Sequence, residues 1–174
     1  MLDWKPYAEY GYEIAARKGV PVVANYLSQF LQYITCCCKL FPGRIGNIYA
    51  LDPAGPLFSH PIDVGLPRRL ARTDAKYVQV ISTSRYAMGL GPFVGTQNFL
   101  PNAGYHPQAP CKAGITGLAE LANALICSHQ YAAELFIQTL DPANVIQGQK
   151  CDSALRLRGC LFRPKDRLGI YSKR

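Results

Sequence analysis

The sequence predicts an α/β fold on a mostly parallel sheet, because helical patterns alternate along the chain with short apolar β-type segments. The first forty residues are predicted to be helical, and residues 20–34 repeat apolar side chains at the spacing of one helix face. Residues 44–51 and 76–83 are short, apolar and β-leaning, as buried strands are. We assign all 174 residues to one domain and expect no separate C-terminal domain.

Each predicted element has a local signal for its end. The first strand should stop at Asp52, because Pro53 lacks the N–H that a sheet ladder needs. Glycine and proline make residues 84–111 a predicted loop. Ser128 is a candidate N-cap for a helix that runs to Asp141-Pro142.

The positive charge of the chain is concentrated at its C-terminal end. Nineteen basic and eleven acidic residues give a net charge of +8, and residues 150–174 hold eight of the basic and two of the acidic ones. We expect a solvated end, with contact to an anionic surface as the alternative. Nucleic acid binding is not expected, because few aromatic residues are interleaved with these charges.

The sequence shows no long apolar run. No segment approaches the roughly 18 consecutive apolar residues of a transmembrane helix. The charged start of the chain also lacks the apolar core of a secretory signal. We therefore expect neither a membrane-spanning segment nor a signal peptide within this sequence.

Seven cysteines suggest disulfides more than a metal site. The paired spacing typical of zinc ligands is absent. Cys111 with Cys127, and Cys151 with Cys160, would close short loops and stabilise the fold by roughly 2–3 kcal/mol each. Such pairs imply an oxidising compartment. The run of cysteines at 36–38 fits neither pairing.

Asp52 and His129 are the candidate catalytic residues. An acid at the end of a buried strand, followed far downstream by a histidine at a helix start, is the pattern of an Asp-His pair that serves a nucleophile. Taken alone the pattern is weak, because an Asp before proline is often a turn residue and a lone histidine often ends a helix.

Longer strings resemble the animal pancreatic-type lipase and phospholipase A1 family. The acid motif is LDPAGPLF at 51–58 and the histidine motif is CSHQYA at 127–132; TDAKYVQVIST and VGTQNFLPNAG lie between them in the family's order. The resemblance implies an α/β-hydrolase fold and a lipid ester hydrolase with Asp52 as the acid and His129 as the base. It also places a lid disulfide and a later short disulfide at the two cysteine pairs.

The same resemblance identifies what the sequence lacks. The family carries its nucleophilic serine on a G-x-S-x-G elbow upstream of the acid. The only serine upstream of Asp52 is Ser28, which has no neighbouring glycine and lies in the helical pattern. Where the family has a central strand and the elbow helix, this sequence reads TCCCKLFPG at 35–43. We therefore expect a partial α/β-hydrolase fold without the nucleophile or the oxyanion hole, and an inactive chain.

The resemblance further implies a lid between Cys111 and Cys127. Ile115, Leu118 and Leu125 would be apolar lid residues, although a short core helix shows the same pattern. Calcium is disfavoured, since only Asp74 remains of the family's site, and we expect no other cofactor. Asp74 is then a surface cap, and His60 and His106 are expected to be loop histidines.

These observations lead to one main functional hypothesis and two alternatives. The main one is a truncated member of a secreted, extracellular lipase or phospholipase A1 family, with a lipid or a lipid surface as partner. A non-catalytic lipid-binding or yolk-type protein is the first alternative. An incomplete gene product without a stable function is the second.

Overall fold

The computed structural model describes residues 5–9, 11–27, 45–63, 65, 68–151 and 163–172. The chain divides into two compact units, Met1–Ile45 and Gly46–Arg174. Three features singled out in the sequence lie outside the described residues: Ser28, the cysteines at 36–38 and Cys160.

The first unit is helical over its described residues. Helix α1 spans Lys5–Ala8 and α2 spans Tyr12–Ile14; a π-helical segment, Ala15–Gly19, follows. Residues 20–27 are helical as well. The helix predicted over 20–34 is thus confirmed as far as residue 27.

The second unit contains a three-stranded parallel sheet. Strand β1 is Asn47–Leu51, β2 is Tyr77–Ile81 and β3 is Gln97–Phe99, and the strand order is β1-β2-β3. All five residues of the central strand β2 are buried. Burial on both faces explains its nearly continuous apolar sequence, as expected for a parallel strand covered on both sides.

The predicted strands are present in shorter form, and one strand was missed. Residues 44–51 and 76–83 were expected as strands, and the ladders start at Asn47 and Tyr77. The predicted loop 84–111 contains β3. Three residues between glycines and prolines are too few to show a period-2 pattern, so pairing with β2 decides their conformation.

Helix α3, Leu118–Gln138, begins earlier than the sequence predicted. Gly117 precedes it, and Ser128 lies inside the helix, fully buried. The N-cap assignment of Ser128 is therefore wrong: its hydroxyl donates to the Ala124 carbonyl one turn back. Within the part of the chain that the structure describes, no helix is long and apolar enough to cross a bilayer.

Part of the basic C-terminal end is folded, contrary to the expected solvated end. Strand β4, Gln147–Gln149, pairs antiparallel with β5, Lys165–Arg167. Leu168 follows β5 and is buried in the core against Ile81 and Phe99. Because Leu168 fills the core, the two-stranded ribbon is held against the parallel sheet.

Candidate active site

Asp52 begins the site at the carboxyl end of β1. Its backbone N–H donates to the Ile81 carbonyl at 2.7 Å, which extends the β1–β2 ladder by one bond. Asp52 itself has a left-handed φ of 42°, so the chain turns sharply there. Asp tolerates that region better than most residues, and Pro53 prevents the strand from continuing. The sharp turn leaves the Asp52 side chain inside the protein, with 1% of the residue exposed.

The end of the neighbouring strand β2 supplies hydrogen-bond donors to the Asp52 carboxylate. The backbone N–H groups of Thr83 and Ser84 donate to Oδ1 at 2.8 and 3.0 Å. The Ser84 hydroxyl donates to Oδ2. A buried carboxylate needs such partners, since an unpaired buried charge is costly.

His129 provides the remaining contact. Its Nδ1 lies 2.7 Å from Asp52 Oδ2, although the two residues are 77 positions apart in the chain. An ionised carboxylate only accepts hydrogen bonds, so Nδ1 carries the proton and donates it. In the neutral ring, the lone pair is then on Nε2, the nitrogen that acts as general base in Asp-His pairs.

The hydrogen bonds around Asp52 also set its charge. Burial raises the pKa of Asp52, but the hydrogen bonds from His129, the Ser84 hydroxyl and the N–H groups of Thr83 and Ser84 together lower it below its ordinary value. The carboxylate is therefore ionised at neutral pH, as an orienting acid must be.

A glycine of the loop after β2 closes over the carboxylate. A Cβ added to Gly89 would lie 2.3 Å from Asp52 Oδ1. The loop is held there by hydrogen bonds from the Gly89 N–H to Ser84 and from the Leu90 N–H to the Pro53 carbonyl. Only glycine fits this close approach, which seals Asp52 from solvent.

Gln108 ties the two halves of the site together. Its side-chain amide lies 2.9 Å from the Thr83 carbonyl, on the strand end that holds Asp52. Its backbone N–H donates at 2.9 Å to the hydroxyl of Ser128, the residue before His129. Because Gln108 is 1% exposed, this bridge fixes the helix that carries His129 to the strand end beside Asp52.

The imidazole of His129 is partly exposed. The His129 side chain is 33% exposed. Among the described residues, its ring has no hydrogen-bond partner other than Asp52, so no hydroxyl or thiol contacts Nε2 there. The pair can hold and transfer a proton, while the attacking group is not among these residues.

The predicted lid residues lie beside the N-terminal half of α3. Leu118 is 87% exposed, whereas Leu125 and Ile115 are half-buried. Leu118, Leu125 and His129 share one face of the helix, since they are separated by seven and four residues. The helix thus includes Leu118, Leu125 and His129, while Ile115 lies before its start.

One predicted disulfide is present. Cys111 and Cys127 are joined, which ties the start of the lid segment to α3. Cys151 is disulfide-bonded as well, and its pairing with Cys160 stays a prediction because Cys160 lies outside the described residues.

The remaining candidates lie in turns and loops. Asp74 Oδ2 accepts the Ala71 N–H at 2.9 Å within a turn. His60 Nε2 is 3.0 Å from the Ala87 carbonyl, and His106 precedes a cis proline. Both histidines lie in loops, as expected. Among the described residues, no group of three potential metal ligands comes together.

Three supporting residues were missed from the sequence: Ser84, Gly89 and Gln108. Ser84 carried a usable signal, because polar residues that follow a buried parallel strand collect at the functional edge of the sheet. Gly89 and Gln108 stand in a loop whose other glycines and amides look the same, so sequence alone does not single them out.

Comparison with known proteins agrees with this geometry. The family model described as Lipase matches residues 34–169. Lipase member H-B of Xenopus laevis is 36% identical over 117 residues, and Lipase member H of Oryctolagus cuniculus is 34% identical over 118 residues; each alignment covers 66% of this chain and 24% of the relative. The probable phospholipase A1 magnifin of Vespa magnifica is 37% identical over 98 residues, which is 56% of this chain and 26% of that protein.

The alignments thus span about a quarter of the length of these relatives. The family model matches more of this chain than the pairwise alignments do. Its matched residues, 34–169, include the parallel sheet, Asp52, His129 and α3. The chain belongs to the pancreatic-type lipase family.

Proposed function

We propose that the chain carries the acid and the base of a lipase or phospholipase A1-like carboxylic ester hydrolase. Because its sequence has no G-x-S-x-G serine upstream of Asp52, it does not hydrolyse esters. The observation that carries the proposal is the 2.7 Å contact between Asp52 and His129, with the carboxylate buried and held by three further hydrogen bonds. In this role Asp52 orients and stabilises the imidazole, and His129 Nε2 accepts the proton of an attacking group.

The sequence supports the absence of the strand and elbow that carry the nucleophile, since residues 35–43 read TCCCKLFPG and contain no G-x-S-x-G. All five residues of β1 are only half-buried, whereas β2 beside it is fully buried. Within the described residues β1 pairs with β2 alone. In a complete α/β-hydrolase, the strand that leads to the nucleophile would pair with β1 on the side away from β2. Among the described residues, His129 has no hydroxyl or thiol partner to deprotonate.

Hydrolysis of a short-chain nitrophenyl ester tests the proposed inactivity. The chain and its His129→Ala variant are purified in parallel and assayed on that ester and on a phospholipid. We expect equal background rates, because His129 has no nucleophile to serve. Turnover by the unmodified chain that the His129→Ala variant loses would show a complete catalytic site and refute the proposal.

The exposed apolar face of α3 favours lipid-surface binding without hydrolysis as a second candidate function. Leu118, Leu121 and Ile126 are 87%, 42% and 47% exposed near the N-terminal half of the helix. An interfacial helix inserts exposed apolar side chains into a lipid surface while its polar residues stay in water. The binding function needs no nucleophile.

Flotation with phosphatidylcholine vesicles tests this second candidate. Leu118→Ser should reduce the floated fraction, since it removes the most exposed apolar side chain of the lid face. Ile137→Ser is the matched control, because Ile137 is 62% exposed near the other end of the same helix. Equal flotation of both variants and the unmodified chain would argue against a lid contact with lipid.

Extracellular location belongs to the same proposal. The Cys111–Cys127 bond and the disulfide at Cys151 support an oxidising compartment, where such bonds persist. Thiol counting on the natural protein, with and without reductant, tests this: two or more free thiols appearing only after reduction would agree with export.

A further inference from the structure

Arg85 is a buried cation next to the residues that hold the candidate acid. It follows Ser84 directly and is 6% exposed. Among the described residues, no carboxylate lies within ion-pair distance of its guanidinium. A buried charge without a counterion is costly, so its surroundings must either compensate it fully or leave it ready for an anion.

Among the described residues, the hydrogen bonds to the guanidinium are concentrated on its Nε–Nη2 edge. Nε and Nη2 both donate to the Gly91 carbonyl, at 2.9 and 2.5 Å. The other contact of Nη2 is a long one, 3.4 Å to the Tyr86 hydroxyl, and Nη1 has no hydrogen-bond partner among the described residues. The Nη1–Nη2 edge therefore keeps donors in the fork geometry that matches a phosphate or carboxylate.

Three aromatic rings surround this cation. The guanidinium carbon lies 5.1 Å from the centre of the Tyr86 ring, 4.6 Å from Phe93 and 5.8 Å from Tyr105. These residues are themselves 60%, 46% and 44% exposed. The rings stabilise the positive charge without neutralising it, and they present apolar surface around it.

The backbone is shaped to hold this arrangement. Tyr86 has a φ of 60°, a left-handed conformation that is unfavourable for a bulky residue. A Cβ on Gly91 would lie 2.1 Å from the Tyr86 ring, so the ring packs directly on that glycine. Local strain that the surrounding structure maintains is a feature of functional loops.

We propose that Arg85, with Tyr86, Phe93 and Tyr105, binds the phosphate of an anionic phospholipid headgroup. The guanidinium fork takes the phosphate oxygens, while the exposed rings enter the headgroup region of the lipid surface. A choline headgroup offers the same phosphate but carries its own cation, so it brings less net negative charge to Arg85 than an anionic headgroup does. The site deepens the proposed function by selecting the lipid class.

Side-chain NMR of the unmodified chain tests the site directly. Arg85 Nε–H should shift on titration with dihexanoyl phosphatidylglycerol as monomers, and much less with dihexanoyl phosphatidylcholine or inorganic phosphate. No shift with the phosphatidylglycerol would overturn the proposal. A shift with inorganic phosphate alone would show an anion site that does not take lipid, which also overturns it.

Vesicle flotation with matched charge variants provides the second test. Arg85→Gln should weaken binding to phosphatidylglycerol-containing vesicles by about tenfold or more, the value of a charge-assisted hydrogen bond. Arg72→Gln removes the same charge from an exposed position and should have a small effect. Equal losses would mean that general charge attraction, including that of the basic C-terminal end, accounts for binding.

The two readouts separate this proposal from the proposed function. Neither readout depends on ester cleavage. Ester turnover would therefore refute the proposed inactivity and leave the lipid-induced chemical-shift change of Arg85 Nε–H unaffected. Circular dichroism confirms that each variant is folded, and the titration of the unmodified chain remains decisive if Arg85→Gln does not fold.

Discussion

At the scale of single residues, the site depends on exact fit around one carboxylate. Asp52 accepts hydrogen bonds from Thr83, Ser84 and His129, and Gly89 covers it from the other side. These partners come from segments distant in sequence from Asp52, and a substitution at Gly89 tests the geometry without changing the imidazole.

Gly89→Ala should destabilise the protein by about 1–3 kcal/mol, the usual cost of forcing a methyl group into a packed site. The new Cβ would lie 2.3 Å from Asp52 Oδ1, and the loop backbone must move to make room. Urea denaturation measures the change. Gly46→Ala is the control, because a Cβ at Gly46 meets nothing within 4 Å. Equal stability of the two variants would contradict the close approach.

Asp52 should make stability depend on acid pH. Its pKa is lowered in the folded protein, so the unfolded chain binds the proton more readily. The contribution is present above the unfolded pKa of about 4 and is lost as pH falls through the lower folded value.

Urea denaturation at several acidic pH values, for the unmodified chain and Asp52→Asn, measures this contribution. The free energy of unfolding should fall more steeply with acidification in the unmodified chain. Parallel curves for the two proteins would show that Asp52 is not the group responsible.

At the scale of elements, α3 carries both the predicted lid residues Leu118 and Leu125 and the candidate base His129. The helix runs from Leu118 to Gln138 without a break, and its inner face is joined to the sheet edge through Ser128 and Gln108. Because the proposed lid residues and the candidate base share this helix, we expect movement of the helix at Leu118 or Leu125 to move His129 as well.

Ser128→Ala should cost about 1–3 kcal/mol, because it leaves the buried Gln108 N–H without its acceptor. The change is read from thermal and urea unfolding. Thr116→Ala removes a hydroxyl from an exposed position near the start of α3 and should stay within about 0.5 kcal/mol. A neutral effect of Ser128→Ala would mean that the helix is held to the sheet by apolar contacts alone.

At the scale of the whole molecule, the basic end is partly structural. Residues 163–172 were expected to be solvated, yet Leu168 is 1% exposed and the Gly169 N–H donates to buried Gln79 at 2.7 Å. The positive charge near the C-terminus is therefore presented in part by a folded ribbon.

Leu168→Ala should destabilise the protein by about 2–5 kcal/mol, as large-to-small changes in a core do. Ile137→Ala is the control, since Ile137 is 62% exposed. Urea denaturation of both variants decides the matter: a Leu168 effect no larger than that of Ile137 would mean that the C-terminal ribbon does not contribute to the core.

The sequence alone identified the α/β class, two of the three parallel strands, the Cys111–Cys127 pair and the two residues of the candidate dyad. These succeed because local patterns carry them: β-branched runs, a strand that must end before proline, and motifs around Asp52 and His129 typical of one family. The strands and the dyad motifs are readable within a few neighbouring residues, whereas the cysteine pair spans sixteen positions.

Tertiary structure alone decided where α3 begins, that β3 is a strand, and which residues surround Asp52. Ser128 has the chemistry of an N-cap, but packing against Gln108 places it inside the helix. Arg85 looks like any loop arginine until folding brings three aromatic rings to it. The physical reason is that hydrogen bonds and burial between distant segments depend on how the strands pair, which local propensity does not determine.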